Sequence, residues 1–153
     1  MRVYLGGNVH NNWRYEVINK SEGNIEFYMP YKSDEHQFVS TEEGKSLVHP
    51  DSFTTRDLLF LNLSDLLFGY IRPYGEHSRH HGLMIEIGYM KAQNKPIILV
   101  CEMPEFDMAT ACASVNFATL KDGINYLNWI AKHNPIKGRT LIDPELHTNG
   151  PFA

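Results

Sequence analysis

The stretch Asp65–Ile71, with the sequence DLLFGYI, decides how the rest of the chain is interpreted. It is nearly continuous in apolar residues, which is typical of a strand buried on both faces of a parallel sheet. Residues 82–94 follow with apolar side chains at helical spacing, and a second apolar run, Ile97–Cys101, begins after a Lys-Pro break. The pattern therefore predicts a strand–helix–strand unit with parallel strands.

The same alternation of strands and helices extends to both sides of this unit. Further strands are predicted at residues 2–6, 25–29 and 115–118, and further helices at residues 13–19, 52–64, 106–112 and 120–132. This order predicts an α/β fold: a doubly wound, mostly five-stranded parallel sheet with helices on both faces, flavodoxin-like or Rossmann-like. Such a sheet binds its ligand at the carboxyl ends of the strands, so chemistry is expected in the loops that follow them.

Two of the predicted helices carry specific expectations. In the first, the amphipathic pattern puts Trp13 on the apolar side and Arg14 on the polar side. In the second, Ser52 or Thr54 is expected to cap the amino end. The polar stretch between them, residues 31–52, is predicted to be a loop, and a loop of that length is more often functional than idle.

Length and composition indicate one ordinary globular domain over residues 1–153, with residues 134–153 as a surface tail. The net charge of −4 argues against nucleic acid or an anionic membrane as partner, because both attract a basic face. The longest apolar run has five residues, whereas a membrane-spanning helix needs about 20. The two cysteines give no disulfide framework and fit a reduced, cytoplasmic setting.

Eight histidines are more than a chain of this length usually carries, and His77, His80 and His81 lie close together in sequence, with His49 further back. Zinc sites usually need a different spacing and a fourth ligand, so a polar loop beside a pocket is favoured and no metal is expected. The chain has neither a Gly-x-Gly-x-x-Gly nor a Walker pattern, so no cofactor is expected. A Gly-x-Ser-x-Gly elbow is also absent.

Glu86 is the most informative position, because it is a lone carboxylate between apolar residues. If the helix begins near Leu83, Glu86 lies in its first turn, where the helix dipole favours an ionised carboxylate. Such a group is a plausible nucleophile, or it merely stabilises the helix terminus. Gly88 either lets the helix approach a neighbour closely or is simply tolerated.

Two aspartates and a tyrosine are further candidates. Asp57 is expected in the middle of a helix, either as a second carboxyl group for acid catalysis or on a solvated face. Asp65 is interpreted as a turn or capping residue. Tyr4, just before the tight turn at Gly6-Gly7, either orients a carboxylate or is a core aromatic residue. The turn itself is expected near a ligand or a neighbouring helix.

Taken in this order, these residues resemble the nucleoside 2-deoxyribosyltransferase family over residues 2 to about 130. The opening strand with its tyrosine and glycine turn looks like that of the family, and Asp57 stands where the family has an active-site aspartate. The most specific block is residues 82–89, Gly-x-x-x-Glu-x-Gly-Tyr, followed by Lys95-Pro96 at the next strand. This block is similar to the nucleophile signature of the family.

The resemblance implies a mechanism. Glu86 attacks the anomeric carbon of a 2′-deoxynucleoside and releases the base, and a second base attacks the covalent 2-deoxyribosyl intermediate with net retention. Asp57 contacts the base and helps to protonate its leaving nitrogen, and Tyr4 holds Glu86 by a hydrogen bond. The glycines of the first turn, Gly6 and Gly7, together with Gly82, are expected to line the substrate. The implied partners are 2′-deoxynucleosides and free nucleobases.

The expected pocket departs from the family at one position, and it is expected to include a residue of a second subunit. Family members commonly carry an aspartate six residues before the nucleophile, where this chain has His80, and this substitution affects base recognition. The family also completes each pocket with a residue of the neighbouring subunit, for which Asn116 or Asp107 is the candidate here. A homo-oligomer is therefore expected, with residues near 106–117 in its interface.

Two other functions stay open at this point. One is hydrolysis of the N-glycosidic bond of 2′-deoxynucleosides or their 5′-monophosphates, although the turn at residues 7–10 offers no obvious phosphate cluster. The other is a non-catalytic nucleotide-binding domain that retains the fold. The joint presence of Tyr4, Asp57 and Glu86 argues against the latter. No residue identifies a preference for purine or pyrimidine bases.

Overall fold

A computed structural model describes residues 1–8, 12–30, 50–72, 80–102 and 107–133. The strands in this part of the chain are β1 (Arg2–Gly7), β2 (Glu26–Tyr28), β3 (Leu66–Ile71), β4 (Ile97–Cys101) and β5 (Val115–Phe117). The helices are α1 (Trp13–Lys20), α2 (Pro50–Leu63), α3 (His81–Ala92), α4 (Asp107–Cys112) and α5 (Leu120–His133). Residues 31–49 of the predicted loop and the predicted tail lie outside the described residues, whereas residues 50–52, also predicted to be loop, belong to α2.

All five strands pair in parallel in one sheet, in the order β2-β1-β3-β4-β5. The predicted doubly wound α/β fold is confirmed, and the ends of each predicted element lie within two residues of the observed ones. Because α2 begins at Pro50, Ser52 and Thr54 lie inside it, and the prediction that one of them caps the helix is wrong. Proline suits the first position of a helix, because the N–H that it lacks has no partner within the helix there.

Two apolar clusters cover the two faces of the sheet. One joins α1 and α5 to alternate residues of the central strands, including Leu5, Phe68 and Val100. The other joins α2, α3 and α4 to the intervening residues, including Tyr4 and Leu99. This alternation follows from the period of two along a strand, and it places Tyr4 on the face covered by α3. No helix among the described residues combines the length and the hydropathy needed to cross a membrane.

The strand order reverses between β1 and β3, and there a doubly wound sheet opens its binding crevice. Gly6 pairs with Gly69 and Gly7 with Tyr70 where the two strands end. Gly7 has a φ of +143°, and a Cβ on it would lie 2.7 Å from the main-chain oxygen of Tyr70. The turn after β1 therefore needs glycine at position 7 for both its backbone angle and its close packing.

Candidate active site

Tyr4 and Glu86 meet at this crevice. Tyr4 is fully buried on β1, and its hydroxyl donates a hydrogen bond of 3.0 Å to Oε1 of Glu86 on α3. The interpretation of Tyr4 as a residue that orients a carboxylate is therefore correct in geometry. Its burial and the nearby charge of Glu86 both raise the pKa of the Tyr4 phenol, so it keeps its proton and acts as the donor.

The second oxygen of Glu86 lies against the glycine turn. Oε2 is buried and has no hydrogen-bond partner among the described residues. A Cβ on Gly6 would lie 2.5 Å from it, so glycine at position 6 makes room for the carboxylate. Burial raises the pKa of Glu86 to about 7, against the opposing effects of the Tyr4 hydrogen bond and the positive charge of Arg14. Near neutral pH, Glu86 is therefore poised between its protonated and ionised forms.

The position of Glu86 in its helix differs from the sequence expectation. Because α3 begins at His81, Glu86 lies in the second turn, and the first turn carries no acidic residue. The helix dipole acts mainly within the first turn, so the prediction that it favours ionised Glu86 is wrong. The carboxylate depends instead on Tyr4 and Arg14 for stabilisation, and burial works against them.

Asp57 lies in the middle of α2, as predicted, and its side chain is partly buried. The guanidinium of Arg56 approaches it, with Nε 3.4 Å from Oδ1. The negative charge of Asp57 contributes to raising the pKa values of both Tyr4 and Glu86. A second carboxyl group thus lies within electrostatic reach of the first.

Asp65 lies at the other end of the sheet. Its two carboxylate oxygens accept hydrogen bonds from the main-chain N–H of Arg2, at 2.7 Å, and from the Arg2 guanidinium, at 3.2 Å. Both residues stand where β1 and β3 begin, whereas the crevice is where these strands end. The interpretation of Asp65 as a residue of the turn is therefore confirmed.

His80 is buried immediately before α3. Burial lowers its pKa, so the imidazole is neutral at pH 7. Gly82 lies in the first turn of the same helix, and a Cβ on it would have no described heavy atom within 4 Å. The same is true of Gly88. Among the described residues, no neighbouring helix comes close enough to require glycine at position 88.

Asn116 is not brought to Glu86 within one chain. It lies on β5, and its Nδ2 donates a hydrogen bond of 3.0 Å to the main-chain oxygen of Thr110. With strands spaced about 4.8 Å apart, β5 lies roughly 14 Å from β1 across the sheet. The alternative candidate, Asp107, is the first residue of α4, and its side chain lies outside the described part of the chain.

Arg14 was not identified as a site residue from the sequence, and its expected place on a polar helix face is wrong. Its side chain is only 5% exposed. The guanidinium donates hydrogen bonds to the main-chain oxygens of Leu5 (3.0 Å), Gly7 (2.6 Å) and Asn8 (2.8 Å), and it lies 4.6 Å from the ring centroid of Trp13. The amphipathic pattern of a helix places arginine on the side that faces solvent, so it could not predict this burial. The only sequence signal for a role of Arg14 in the site was its position just after the turn that ends β1.

Lys95, which precedes β4, has a structural role. Its ammonium donates hydrogen bonds to the main-chain oxygens of Leu61, at 3.1 Å, and Asn62, at 2.5 Å, in the last turn of α2. The Leu61 carbonyl also accepts a hydrogen bond of 3.2 Å from the Ser64 N–H, just after the helix. A lysine there suits the negative end of the helix dipole. Lys95 therefore ties the entry of β4 to the helix that carries Asp57.

A cavity of about 570 Å³ lies on the opposite face of the sheet. Its walls include Trp13, Tyr70, Arg72 and Glu102, and the Tyr70 hydroxyl donates a hydrogen bond of 3.0 Å to Glu102. Glu86 is not among its lining residues. The candidate site is therefore the strand-end crevice at Tyr4 and Glu86, which is separate from this cavity.

The fold of this chain is similar to that of a solved enzyme structure. A 2-deoxyribosyltransferase from Bacillus psychrosaccharolyticus is similar with a TM-score of 0.62 at 20% identity, over 82% of this chain and 92% of that chain. A 2-deoxyribosyltransferase from Leishmania mexicana gives 0.48 at 12% identity, over 89% and 97% of the two chains. A CMP N-glycosidase from Clostridium botulinum gives 0.44 at 19%, over 84% and 98%. No family model and no curated protein matches the sequence. The chain thus shares the fold of the Bacillus enzyme.

Proposed function

We propose that the protein belongs to the nucleoside 2-deoxyribosyltransferase family and exchanges the base of 2′-deoxynucleosides. The observation that carries this proposal is the carboxylate of Glu86, held through Oε1 by Tyr4 while buried Oε2 faces Gly6. A carboxylate positioned by one hydrogen bond and otherwise poorly solvated is a competent nucleophile. The fold shared with a 2-deoxyribosyltransferase supports the same chemistry.

The proposed reaction has two displacements. The Glu86 carboxylate forms a bond to the anomeric carbon as the N-glycosidic bond breaks, and the bonding electron pair leaves with the base. Asp57, in its protonated form, helps by giving its proton to the leaving nitrogen, and it becomes a carboxylate in that step. A ring nitrogen of a second base then attacks the same carbon, gives its proton to Asp57 and releases Glu86. Each step inverts the anomeric centre, so the net result is retention.

The surroundings of Glu86 favour transfer over hydrolysis in this proposal. Tyr4 is fully buried and Oε2 of Glu86 has almost no solvent contact, so the carbon attached to that oxygen is protected from bulk water. The incoming base, which binds where the first base left, then becomes the preferred acceptor. Neither step needs a cofactor, since the carboxylate supplies the covalent chemistry.

Recognition of the base is proposed to involve His80. As a neutral imidazole it offers one donor and one acceptor, whereas an ionised aspartate at that position offers acceptors only. Gly82 lies close by in the first turn of α3 and leaves room for a ligand. The remaining wall is proposed to come from Asn116 or Asp107 of a neighbouring subunit, which makes the active form a homo-oligomer.

The test is a base-exchange assay. The protein is incubated with 2′-deoxyinosine in the presence and absence of adenine, and the products are separated by chromatography. Formation of 2′-deoxyadenosine that depends on adenine is the expected result. Free deoxyribose released at a rate independent of adenine would identify a hydrolase instead. Binding of nucleoside without any turnover would identify a non-catalytic domain and contradict the proposal.

Two variants give the assay its controls. Glu86→Ala is expected to abolish turnover, because no other residue of the proposal forms the covalent bond. Glu16→Gln changes a surface glutamate that pairs with Lys20 on α1, and it is expected to keep full activity. Mass spectrometry of protein quenched during turnover with substrate alone should show one added deoxyribosyl group on wild type. Equal exchange by Glu86→Ala and wild type would contradict the proposed mechanism.

A further inference from the structure

Arg14 is an arginine whose hydrogen bonds are all directed at the turn beside the nucleophile. The acceptors described for its guanidinium are the three main-chain oxygens of Leu5, Gly7 and Asn8, at 2.6 to 3.0 Å. These acceptors carry no full charge, so the positive charge of Arg14 is not cancelled by the groups it contacts. A buried guanidinium is costly, and it is retained where its donors are satisfied.

The sheet explains why this place needs a donor. The pairing of β1 with β2 ends at Tyr4 and Tyr28, whereas β1 continues to Gly7. The Met1 carbonyl accepts a hydrogen bond from the main-chain N–H of Glu26, the first residue of β2. Because carbonyl directions alternate along a strand, the odd-numbered residues of β1 direct their carbonyls toward β2. The Leu5 and Gly7 carbonyls therefore point past the end of β2. Arg14 supplies the donors that a longer β2 would have supplied.

This contact acts on the nucleophile through Gly6. Gly6 lies between Leu5 and Gly7, whose carbonyls are bound by Arg14. A Cβ on Gly6 would lie 2.5 Å from Oε2 of Glu86. A small shift of the turn would therefore change the surroundings of that oxygen directly. Within the described parts of the chain, the groups whose charge or hydrogen bonding acts on Glu86 come from three other elements: Tyr4 on β1, Arg14 on α1 and Asp57 on α2. Of these, only Arg14 is a cation.

We propose that Arg14 is a positioning residue for Glu86, which fixes the glycine turn against the carboxylate and supplies a positive charge that favours its ionised form. Arg14 does not touch the substrate in this proposal. The kinetic consequence rests on the proposed function, whereas the consequences for the Glu86 carboxyl group and for the turn do not. The two can therefore be tested separately.

The first measurement needs no activity. The Glu86 side-chain carboxyl is labelled with ¹³C, assigned by comparison with Glu86→Gln, and titrated by NMR. Arg14→Gln is expected to raise the titration midpoint of Glu86 by about one pH unit or more, because it removes the nearby cation. Arg14→Lys keeps a positive charge, so its Glu86 midpoint is expected to lie between those of wild type and Arg14→Gln. Arg2→Gln, which removes an arginine at the far end of the sheet, should leave the midpoint unchanged.

The second measurement is kinetic. Arg14→Gln is expected to lower kcat of base exchange at least about tenfold with KM within threefold, because a misplaced nucleophile slows the chemical step more than it weakens binding. Its loss should be smaller at high pH, where Glu86 is ionised in both proteins. If wild type shows no exchange or hydrolysis, the proposed function fails, and the NMR titration still decides the role of Arg14.

Arg14→Lys also covers the case in which Arg14→Gln does not fold. A single ammonium cannot reproduce the three bonds from a planar guanidinium, so the amides of residues 6–8 should exchange with solvent faster than in wild type. Unchanged exchange at these amides in Arg14→Lys would overturn the positioning role. An unchanged Glu86 midpoint in folded Arg14→Gln would overturn the electrostatic one.

Discussion

The Tyr4 hydroxyl donates a hydrogen bond of 3.0 Å to Oε1 of Glu86, joining residues that are 82 positions apart in the chain. Tyr4 belongs to the interior strand β1, and Glu86 belongs to the helix α3 that covers the same face of the sheet. The bond keeps one carboxylate oxygen fixed while the other faces Gly6. The first four of the following predictions change this pair or a group around it, and the last concerns the oligomer.

Removal of the Tyr4 hydroxyl should shift the pH dependence of activity. Wild-type kcat/KM is expected to rise with pH through a midpoint near the Glu86 pKa of about 7, because the ionised form is the proposed nucleophile. Tyr4→Phe deletes a hydrogen bond that lowers this pKa, so the midpoint should move to higher pH. At pH 7 the rate should fall by about 10- to 100-fold, as expected for a bond to a charged group.

The pH profile of base exchange measures this effect, with Tyr28→Phe as the matched control. Tyr28 also donates to a glutamate, Glu26, but its side chain is only partly buried and the pair lies on β2. Its removal should leave the profile unchanged. A Tyr4→Phe profile identical to that of wild type would show that the hydrogen bond does not control ionisation of Glu86.

Asp57→Asn should separate the two roles proposed for the second carboxyl group. Loss of its negative charge lowers the pKa of Glu86, so the rising limb of the profile should move to lower pH. The maximal rate should nevertheless fall, by on the order of 100-fold, because the leaving nitrogen loses its proton donor. The loss should be smaller for a substrate whose base leaves readily without protonation. An equal loss for both substrates would contradict the role of Asp57 as an acid.

Glu86→Gln should stabilise the protein at alkaline pH. The pKa of Glu86 is about 7 in the folded protein and near 4.5 when unfolded, so the folded state binds the proton more tightly. Stability is therefore lost as pH rises from 4.5 to 7 and stays lost above pH 7. Glutamine carries no such charge, so the advantage of the variant should grow by about 3 kcal/mol between pH 4 and pH 8.

Urea unfolding at the two pH values measures this difference. Glu16→Gln, on the exposed surface of α1, should show almost no pH-dependent gain, since a surface ion pair contributes little. A gain for Glu86→Gln that is the same at pH 4 and pH 8 would mean that burial of the charge is not its cause.

Gly6→Ala should disturb the carboxylate and the packing around it. Its methyl group would approach Oε2 of Glu86 and the side chains of Leu67 and Leu83 at 2.5 to 3.0 Å. Crowding of this kind costs about 1–3 kcal/mol, and it should also reduce activity. Gly88→Ala on the exposed side of α3 should instead stabilise by about 0.5–1 kcal/mol, because alanine favours the helix. Thermal unfolding of both variants is the measurement, and equal shifts would contradict the close contact at Gly6.

Met108→Glu should disrupt the proposed oligomer. Met108 on α4 is 84% exposed and Ile85 on α3 is 65% exposed, on two helices that pack against each other. Large exposed apolar side chains are common in interfaces between subunits. Sedimentation equilibrium should show an oligomer for wild type and a smaller species for Met108→Glu. Tyr15→Glu, on the opposite face of the sheet, should keep the wild-type mass. A wild-type protein that is monomeric and fully active would contradict the proposal.

The strand and helix pattern was readable from the sequence because most elements carry strong local signals. The runs at Leu66–Ile71 and Ile97–Cys101 are apolar throughout apart from glycine, so burial on both faces of a parallel sheet follows directly. Tyr4 and Glu86 were also identifiable, one before a glycine turn and the other as an isolated charge. Their contact was expected only from the resemblance to a family.

Arg14 and the source of the Glu86 pKa shift were not predictable in the same way. The environment of Arg14 depends on how far β2 extends beside β1, which is a property of pairing between strands rather than of local sequence. The pKa of Glu86 is raised by burial, which arises only when α3 packs against the sheet. Its place in the helix depends on where α3 begins, and a difference of two residues moves the carboxylate out of the first turn. Helix ends are set by several weak local preferences, so a boundary can move by that much without changing the pattern.

The hydrogen bonds from Arg14 to the Leu5 and Gly7 carbonyls also affect how two copies of this chain can associate. A strand that extends beyond its neighbour exposes unpaired carbonyl groups, and these groups are a template for pairing with a strand of another molecule. Arg14 occupies the Leu5 and Gly7 carbonyls with side-chain donors that no second strand can displace without burying an unpaired charge. The Leu5 and Gly7 carbonyls are thereby withheld from pairing with a strand of another molecule.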